Sequence, residues 1–316
     1  MDIRYNRRRP LSGGSMTAKV ILNPYSNRWN SRARWPEAEA ALKAAGVDFE
    51  VVVSDRKGAV MGLAEQAARD GFSPIIAAGG DGTIGETVNG MARAAGSMDK
   101  PIGPLGIIPL GSANDLVVNL GLPKDLNEAA RVIAAGKTDL IDVGKCNDHF
   151  FVNNSAAGLE PYSTAKQEQI HWIKGIGRYL VSAIQAIMDK PEWNAKLEWD
   201  GGSFNGPLSL VSVGNTRLTG GVFYMAPHAD PRDGKLTFSY GYRSTRLGLF
   251  LTLPRTMKPD KGSFIEMEGV YEEHCTRLSI ELDKPSPAQT DGELFPEWIS
   301  SFKYEIFPKR LQILLS

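Results

Sequence analysis

Cysteine and histidine are scarce in this chain of 316 residues, which has two cysteines, Cys146 and Cys275, and four histidines. The cysteines lie far apart without CxxC spacing, which excludes a zinc ribbon or a disulfide framework and points to a reducing, cytoplasmic compartment. Four scattered histidines argue against a histidine-based metal centre. Charge of one sign is also missing: Lys and Arg together number 36, as do Asp and Glu. A protein whose main partner is nucleic acid needs a basic surplus to neutralise phosphates, so that class is set aside. Long apolar runs are absent too. The longest uncharged stretch, Gly201–Thr216, carries glycine, asparagine and proline and does not read as a membrane span.

The remaining composition, 42% apolar and 23% charged, is that of a folded globular protein. The length exceeds one ordinary compact core, so two domains are expected. Arg4, Arg7, Arg8 and Arg9 open the chain like a signal peptide, but Pro10–Ser15 supplies no apolar segment to follow them. Residues 1–16 are therefore read as a disordered basic leader, with Met16 an alternative start. A basic leader of this kind suits an anionic membrane surface.

From Ala18 to about Val143 the sequence alternates strand and helix. Strands are expected at Lys19–Leu22, Phe49–Val53, Ile75–Ala78 and Leu105–Ile108. Helices are expected at Trp35–Ala45, Ala59–Arg69, from Ile84 to about Ala95, at Asn114–Leu120 and at Asn127–Ala135. Such alternation predicts a doubly wound parallel sheet, which binds ligands beyond the carboxyl ends of its strands. Gly79-Gly80-Asp81-Gly82-Thr83 falls at that edge, between a buried strand and a helix start. Its glycines let backbone approach a ligand closely, and a helix N-terminus favours phosphate. Asp81 in the same loop makes sense beside a metal ion. A tight turn with an Asp or Thr cap explains the loop equally well when it is taken alone.

After Asp142 the texture changes. Ile170–Met188 reads as one long helix whose stripe, Ile173, Ile176, Leu180, Ile184 and Ile187, with Trp172 and Tyr179 nearby, faces a core in preference to a membrane. Strands are expected at Lys196–Trp199, Leu208–Val213, Val222–Ala226, Leu236–Tyr240, Phe264–Glu268 and Arg277–Leu282, divided by Gly and Asp-Gly turns. They predict an antiparallel β-sandwich. The apolar run Arg310–Leu315 is expected to pack back on one of the domains. The boundaries drawn are 17–143 for the α/β domain, rejoined by 309–316, and 144–308 for the sandwich.

Four further segments converge on the glycine loop. Asn23-Pro24 ends the first strand and Ser54 ends the second. Pro109-Leu110-Gly111-Ser112-Ala113-Asn114-Asp115 ends the fourth in another narrow loop feeding a helix. Thr290-Asp291-Gly292-Glu293 places two carboxylates in a turn that the second domain could present to the cleft. Each alone is more often a turn or a cap. Together they favour a phosphate site.

These motifs, with Val213-Gly214-Asn215, Gly220-Gly221 and Asp233-Gly234, stand in an order that resembles the diacylglycerol kinase catalytic-domain superfamily, specifically its soluble bacterial lipid kinases, which are related to sphingosine kinases. The likeness runs from about Ala18 to the C-terminus; the glycine loop alone is shared with NAD kinases and phosphofructokinases. It implies an ATP- and Mg²⁺-dependent kinase acting on the hydroxyl of diacylglycerol or a similar acyl lipid, with the nucleotide in a cleft between an α/β domain and a β-sandwich. Backbone amides of Gly80, Gly82 and Thr83 would hold phosphate beside Gly79, with Asp81 near Mg²⁺. Asn23, Pro24, Ser54, Glu86, Gly111, Ser112, Asn114 and Asp115 complete the implied nucleotide site. Asp291 matches the proposed base for the lipid hydroxyl, with Glu293 competing for that role. Asp230, Asp233 and Lys235 match a second, structural metal site, in which Asp233 gives a carboxylate and the others backbone carbonyls; an Asp-Gly hairpin turn explains those residues about as well.

Three positions depart from the family's usual pattern: Asn27 stands for a glycine, Gly85 for an asparagine and Ser112 for a threonine. The resemblance further implies transient docking on a membrane and a possible homodimer. Two rivals are kept: a soluble-substrate kinase of the NAD kinase type, and a catalytically weak nucleotide- or lipid-binding protein.

Overall fold

A computed structural model describes residues 17–26, 30–168, 170, 173 and 176–315. The first half is built as β1 (Ala18–Leu22), α1 (Asn30–Ala44), β2 (Phe49–Val53), α2 (Val60–Arg69), β3 (Ile75–Gly79), α3 (Asp81–Ala95), β4 (Ile102–Pro109), α4 (Asp115–Asn119), α5 (Leu126–Ala135) and β5 (Thr138–Cys146). The strands β2-β1-β3-β4 pair in parallel in that order. Every residue of β3 is buried, as expected for a strand covered on both faces. Alternate residues serve opposite faces: Ile21 and Ala77 join a core beneath α2 and α3, while Val20, Leu22, Ile76 and Ala78 join another beneath α1 and α5. Full burial of a side chain such as Leu42 or Ile76 contributes about 1.5–3 kcal/mol. α5 is capped by Asp125, whose carboxylate accepts from the amides of Asn127 and Glu128, and it ends at the left-handed Gly136.

The second half continues with β6 (His149–Phe151), β7 (Asn154–Gly158), α6 (Leu159–Glu168), α7 (Ile176–Asp189), β8 (Trp193–Trp199), β9 (Gly202–Leu208), β10 (Leu210–Gly214), β11 (Leu218–Thr219), β12 (Phe223–Tyr224) and β13 (Leu236–Gly241). It closes with α8 (Arg246–Thr256), β14 (Val270–Cys275), β15 (Arg277–Ser286), β16 (Ala288–Thr290), β17 (Glu293–Leu294) and β18 (Ile299–Leu314). One six-stranded sheet runs β14-β13-β10-β7-β16-β17. It shares a core with β8, β15 and the first part of β18 through Trp193, Leu197, Val213, Phe238, Ile280 and Phe302. This is the antiparallel sandwich that the turn-divided strands predict.

β18 joins the two halves. Its early residues pair antiparallel with β15, and Leu311 and Ile313 pair in parallel with Ile102 and Leu105 of β4. The parallel sheet therefore runs on into the sandwich as one larger sheet. The final apolar run packs back as expected, and it does so as a strand in the α/β sheet.

Several elements differ from expectation. The helix expected over Ile170–Met188 starts at Ile176, and a separate helix, α6, precedes it. Trp172 lies outside the described residues, as do Asn27 and the leader. The stripe is not wholly internal: Ile187 is buried, but Ile184 is 43% exposed. Phe264–Glu266 is a single 3₁₀ turn, not a strand. α8 was not anticipated: its apolar residues do not gather on one face and Pro254 lies inside it, so it has no clear helical periodicity.

Candidate active site

The carboxyl ends of β1, β3 and β4 open on a cleft of about 890 Å³ whose far wall is the sandwich. At its polar end α3 begins directly after β3. Its N-cap is Gly80, which has no side chain to cap the first amides, so the start of the helix presents N–H groups and a positive dipole end toward the cleft. Gly80 faces Gly111 of the β4–α4 loop so closely that a Cβ on Gly80 would lie 3.1 Å from the Gly111 Cα. Two strand-end loops can touch in this way only as glycine. Asn114, at φ 54°, holds the second loop in shape: its Oδ1 accepts from Gly111 N at 3.0 Å and its Nδ2 donates to Gly111 O at 3.2 Å. Asn23 Nδ2 donates to Thr83 Oγ1 at 3.1 Å, tying the β1 loop to α3.

Three acids meet where the halves join. Asp81 Oδ1 accepts from Leu116 N at 3.1 Å. Asp115 accepts from Gly220 N and Gly221 N, both at 2.7 Å, bringing the β11–β12 turn onto the α/β domain. Asp291, 4% exposed, accepts from Asn153 N (2.8 Å) and Asn154 N (3.1 Å) at Oδ1 and from Val152 N (2.9 Å) at Oδ2. A carboxylate has about four lone-pair sites, so Oδ2 keeps one to spare. Oδ2 is also the oxygen that faces α3: a Cβ on Gly85 would stand 3.1 Å from it. Glu293 reaches back over Gly82, and its Oε2 lies 3.6 Å from Lys57 Nζ.

Burial dominates the electrostatics. It raises the pKa of Asp81 against the backbone amides that lower it. Asp115 is pushed up to about 7, first by burial and then by the neighbouring Asp81. Asp291 reaches about 7 through burial, opposed by its three amide donors. Glu86 is also raised by burial, with Glu293 adding to the effect. Crowded acids at a phosphate-favouring helix end fit a divalent cation shared with phosphate oxygens. Among the described residues no three His, Cys, Asp or Glu side chains converge into a ready metal cage. A cation here would therefore draw its remaining ligands from phosphate and water.

The expected residues sort into three groups. Asn23, Gly80, Asp81, Gly82, Thr83, Glu86, Gly111, Ser112, Asp115, Asp291 and Glu293 line the cleft. Pro24, Ser54, Gly79 and Asn114 are not among the lining residues; Ser54 Oγ, for example, donates to Arg56 O at 2.8 Å and so shapes the loop that carries Asp55, Arg56 and Lys57 to the rim. Asp230, Asp233 and Lys235 form a separate turn. There Asp230 Oδ1 accepts from Arg232 N, Asp233 Oδ1 accepts from Lys235 N, and buried Asp142 accepts from Gly234 N and Lys309 N.

Sequence reasoning missed Asn153, Asn154, Glu160 and Gln289, which line the middle of the cleft. Glu160 Oε1 accepts from Asn154 Nδ2 at 3.0 Å and from Gln289 Nε2 at 3.1 Å. The one available signal was the polar run Asn153-Asn154-Ser155 between apolar segments. Beyond Glu160 the cleft becomes apolar, lined by Leu159, Ala183, Ile187, Leu210, Phe223, Met225, Leu249 and Leu253 from α6, α7, α8 and the sandwich. No helix of the described residues is long and apolar enough to cross a membrane.

Residues 17–146 match the diacylglycerol kinase catalytic domain, and residues 154–315 match the YegS C-terminal NAD kinase beta sandwich-like domain. A diacylglycerol kinase of Staphylococcus aureus (strain MRSA252) is 30% identical over 280 residues, covering 87% of this chain and 85% of the relative. One from S. aureus (strain bovine RF122 / ET3-1) is 32% identical over the same coverage. The solved structure of a diacylglycerol kinase from Bacillus anthracis str. Sterne shares the fold, with a TM-score of 0.71 and 21% identity over 95% of this chain and 97% of that one.

Proposed function

The chain belongs to the diacylglycerol kinase family of lipid kinases, and on that premise we propose that it transfers the γ-phosphate of ATP, with Mg²⁺, to the free hydroxyl of diacylglycerol or a similar acyl lipid. The observation that carries this reading is the meeting of Asp291 with the first turns of α3. A carboxylate with one lone pair to spare lies against the helix whose start favours phosphate.

Phosphoryl transfer asks for positioning and charge neutralisation more than for covalent chemistry. In this reading the amides of Gly80, Gly82 and Thr83 orient the phosphates, and Gly111 gives the close approach. Mg²⁺ at Asp81, when bound, supplies neutralising charge on the phosphate oxygens. Asp115 holds the Gly220-Gly221 turn and so keeps the two walls in register. Asp291 takes the proton of the acceptor hydroxyl; its pKa of about 7 suits a base near neutrality. Glu293, more exposed and facing Lys57, is better placed to steer charge at the rim. The apolar end of the cleft takes the acyl chains, which supports a lipid acceptor over a dinucleotide. The Asp233 turn, with carbonyls of Asp230 and Lys235, is proposed as a structural cation site. The enzyme works in the cytoplasm and meets its lipid at a membrane surface.

The test is a phosphorylation screen with ATP and Mg²⁺ against diacylglycerol, monoacylglycerol, ceramide, phosphatidylglycerol and NAD, read by mass spectrometry. A phosphorylated acyl lipid is expected. Phosphorylation of NAD alone, or ATP binding with no product from any member, would overturn the proposal.

A further inference from the structure

Glu160, a half-buried residue, brings a second carboxylate to the cleft, and its two oxygens have unlike surroundings. Oε1 accepts two amide hydrogens, from Asn154 and Gln289. Oε2 is buried without a partner, and so is the hydroxyl of Ser212 on the adjoining β10. Two buried polar oxygens left apart are costly, and a hydrogen bond between them relieves both, with the Ser212 hydroxyl donating to an ionised Oε2 or accepting from a protonated one.

Among the described residues no cation acts on Glu160. α6 packs on β7, β10, β16, β17 and α7. β7, β10 and β16 carry no ionisable side chain, and β17 brings only Glu293. α7 brings Arg178, which donates to Gln167 O, and Asp189, which pairs with Lys166 of α6 at 2.7 Å. Tyr162 of α6 donates to that same Asp189. Asp291 beyond β16 is another acid, and Tyr304 of β18 bonds Ser155. Among the described groups that act on Glu160 there is no cation, and burial raises its pKa to about 7.

Its two amide partners both lead to Asp291. Asn154 donates its backbone N–H to Asp291 Oδ1, and Gln289 Oε1 accepts from Gly292 N at 2.7 Å. We propose that Glu160 acts as a neutral carboxylic acid, a positioning residue whose contacts with Asn154, Gln289 and Ser212 set the Asp291-Gly292 turn for the acceptor hydroxyl. An ionised Glu160 would add a second negative charge beside Asp291 and the incoming phosphates. The inference rests on the kinase reading above for its consequence, but not for the charge state of Glu160.

Glutamine is the test residue because, like the protonated acid, it is neutral and offers an oxygen to accept beside a donor, here an NH₂ in place of the O–H. Glu160→Gln is expected to keep wild-type kcat near neutrality and to lose the fall in activity on the alkaline side. Glu160→Ala should lose kcat on the order of 10²-fold, as expected for a displaced base, with the KM for ATP nearly unchanged. Infrared spectra at mildly acid pH, read without any substrate, should show a protonated-carboxyl band that Glu160→Gln removes. A band that is absent, or unchanged in that variant, overturns the neutral state. Equal kcat losses in folded Glu160→Gln and Glu160→Ala, or an unaltered pH profile in the former, overturn the positioning role. If wild type phosphorylates no lipid, the positioning role falls with the kinase reading, and the infrared result still decides the charge state.

Discussion

At the scale of single residues, the molecule turns on how close backbone and carboxylates come. Gly85 reads in the sequence as a lost asparagine, yet in the structure it makes room for Asp291. Restoring a side chain there should harm the enzyme. A Cβ would press on a carboxylate whose position is fixed by three amide donors, so something must shift by a few tenths of an ångström. Gly85→Asn is expected to lower kcat at least about tenfold while ATP affinity stays near wild type. Isothermal titration with a non-hydrolysable ATP analogue, beside a turnover assay, separates the two quantities; an undiminished kcat would show that the turn has slack. Asp291→Asn should cost orders of magnitude in kcat with ATP binding nearly intact, because the amide keeps the size and loses the basicity. Near-wild-type turnover in that variant moves the role to Glu293.

At the scale of elements, legibility followed periodicity. The parallel strands and their helices repeat at regular spacing and end in glycine or a capping Asp, so β1 to α5 could be read within a few residues. β7 could not. Its Asn-Ser-Ala-Ala-Gly sequence has neither bulk nor β-branching, and it is a strand because β10 and β16 pair with it on both sides. With β7 went Asn154 and Glu160, whose roles depend on partners more than a hundred residues away, such as Gln289. The carboxylates in short motifs were visible; the amides that hold them were not. α8 escaped for a related reason and leaves an unusual surface. Leu247 and Leu251 on α8 are 67% and 59% exposed, beside Met188 on α7 at 53%. Arg246 donates to Met188 O, which fixes the two helices together. Both helices line the apolar end of the cleft with their other faces. Such a patch at the apolar end of the cleft suits a bilayer, if the cleft takes a lipid as proposed. Leu247→Glu/Leu251→Glu should reduce co-sedimentation with anionic vesicles and turnover of vesicle-borne lipid, while turnover of a short-chain lipid in solution is spared. Equal loss on both substrates would place the damage in the cleft, and a change of oligomeric state by light scattering would assign the patch to a second copy.

At the scale of the whole molecule, β18 makes the two halves one sheet, and the acids collect where those halves face each other. Asp115, Glu160 and Asp291 all carry pKa values raised to about 7 by burial. In the unfolded chain these groups have ordinary carboxylate values near 4. The folded state therefore holds more protons than the unfolded state between those limits, and each group contributes stability that is lost as pH rises through its folded pKa. Without ligands, the melting temperature should rise as pH falls from about 8 to about 6, opposite to the behaviour of a protein stabilised by salt-bridged carboxylates. A cation at Asp81, whose charge acts on Asp115 and Asp291, should act against that trend, because it favours their ionised forms. Mg²⁺ with a non-hydrolysable ATP analogue is accordingly expected to raise the melting temperature most at the alkaline end, flattening the profile, and differential scanning calorimetry across that range reads both effects. Asp115→Asn should weaken the apo pH dependence, since it removes one titrating group while keeping the side chain's size beside Gly220 and Gly221. A profile equally steep in that variant, or a shift with Mg²⁺ and nucleotide independent of pH, would mean that the acids at the junction are not what couples the cleft to the stability of the fold.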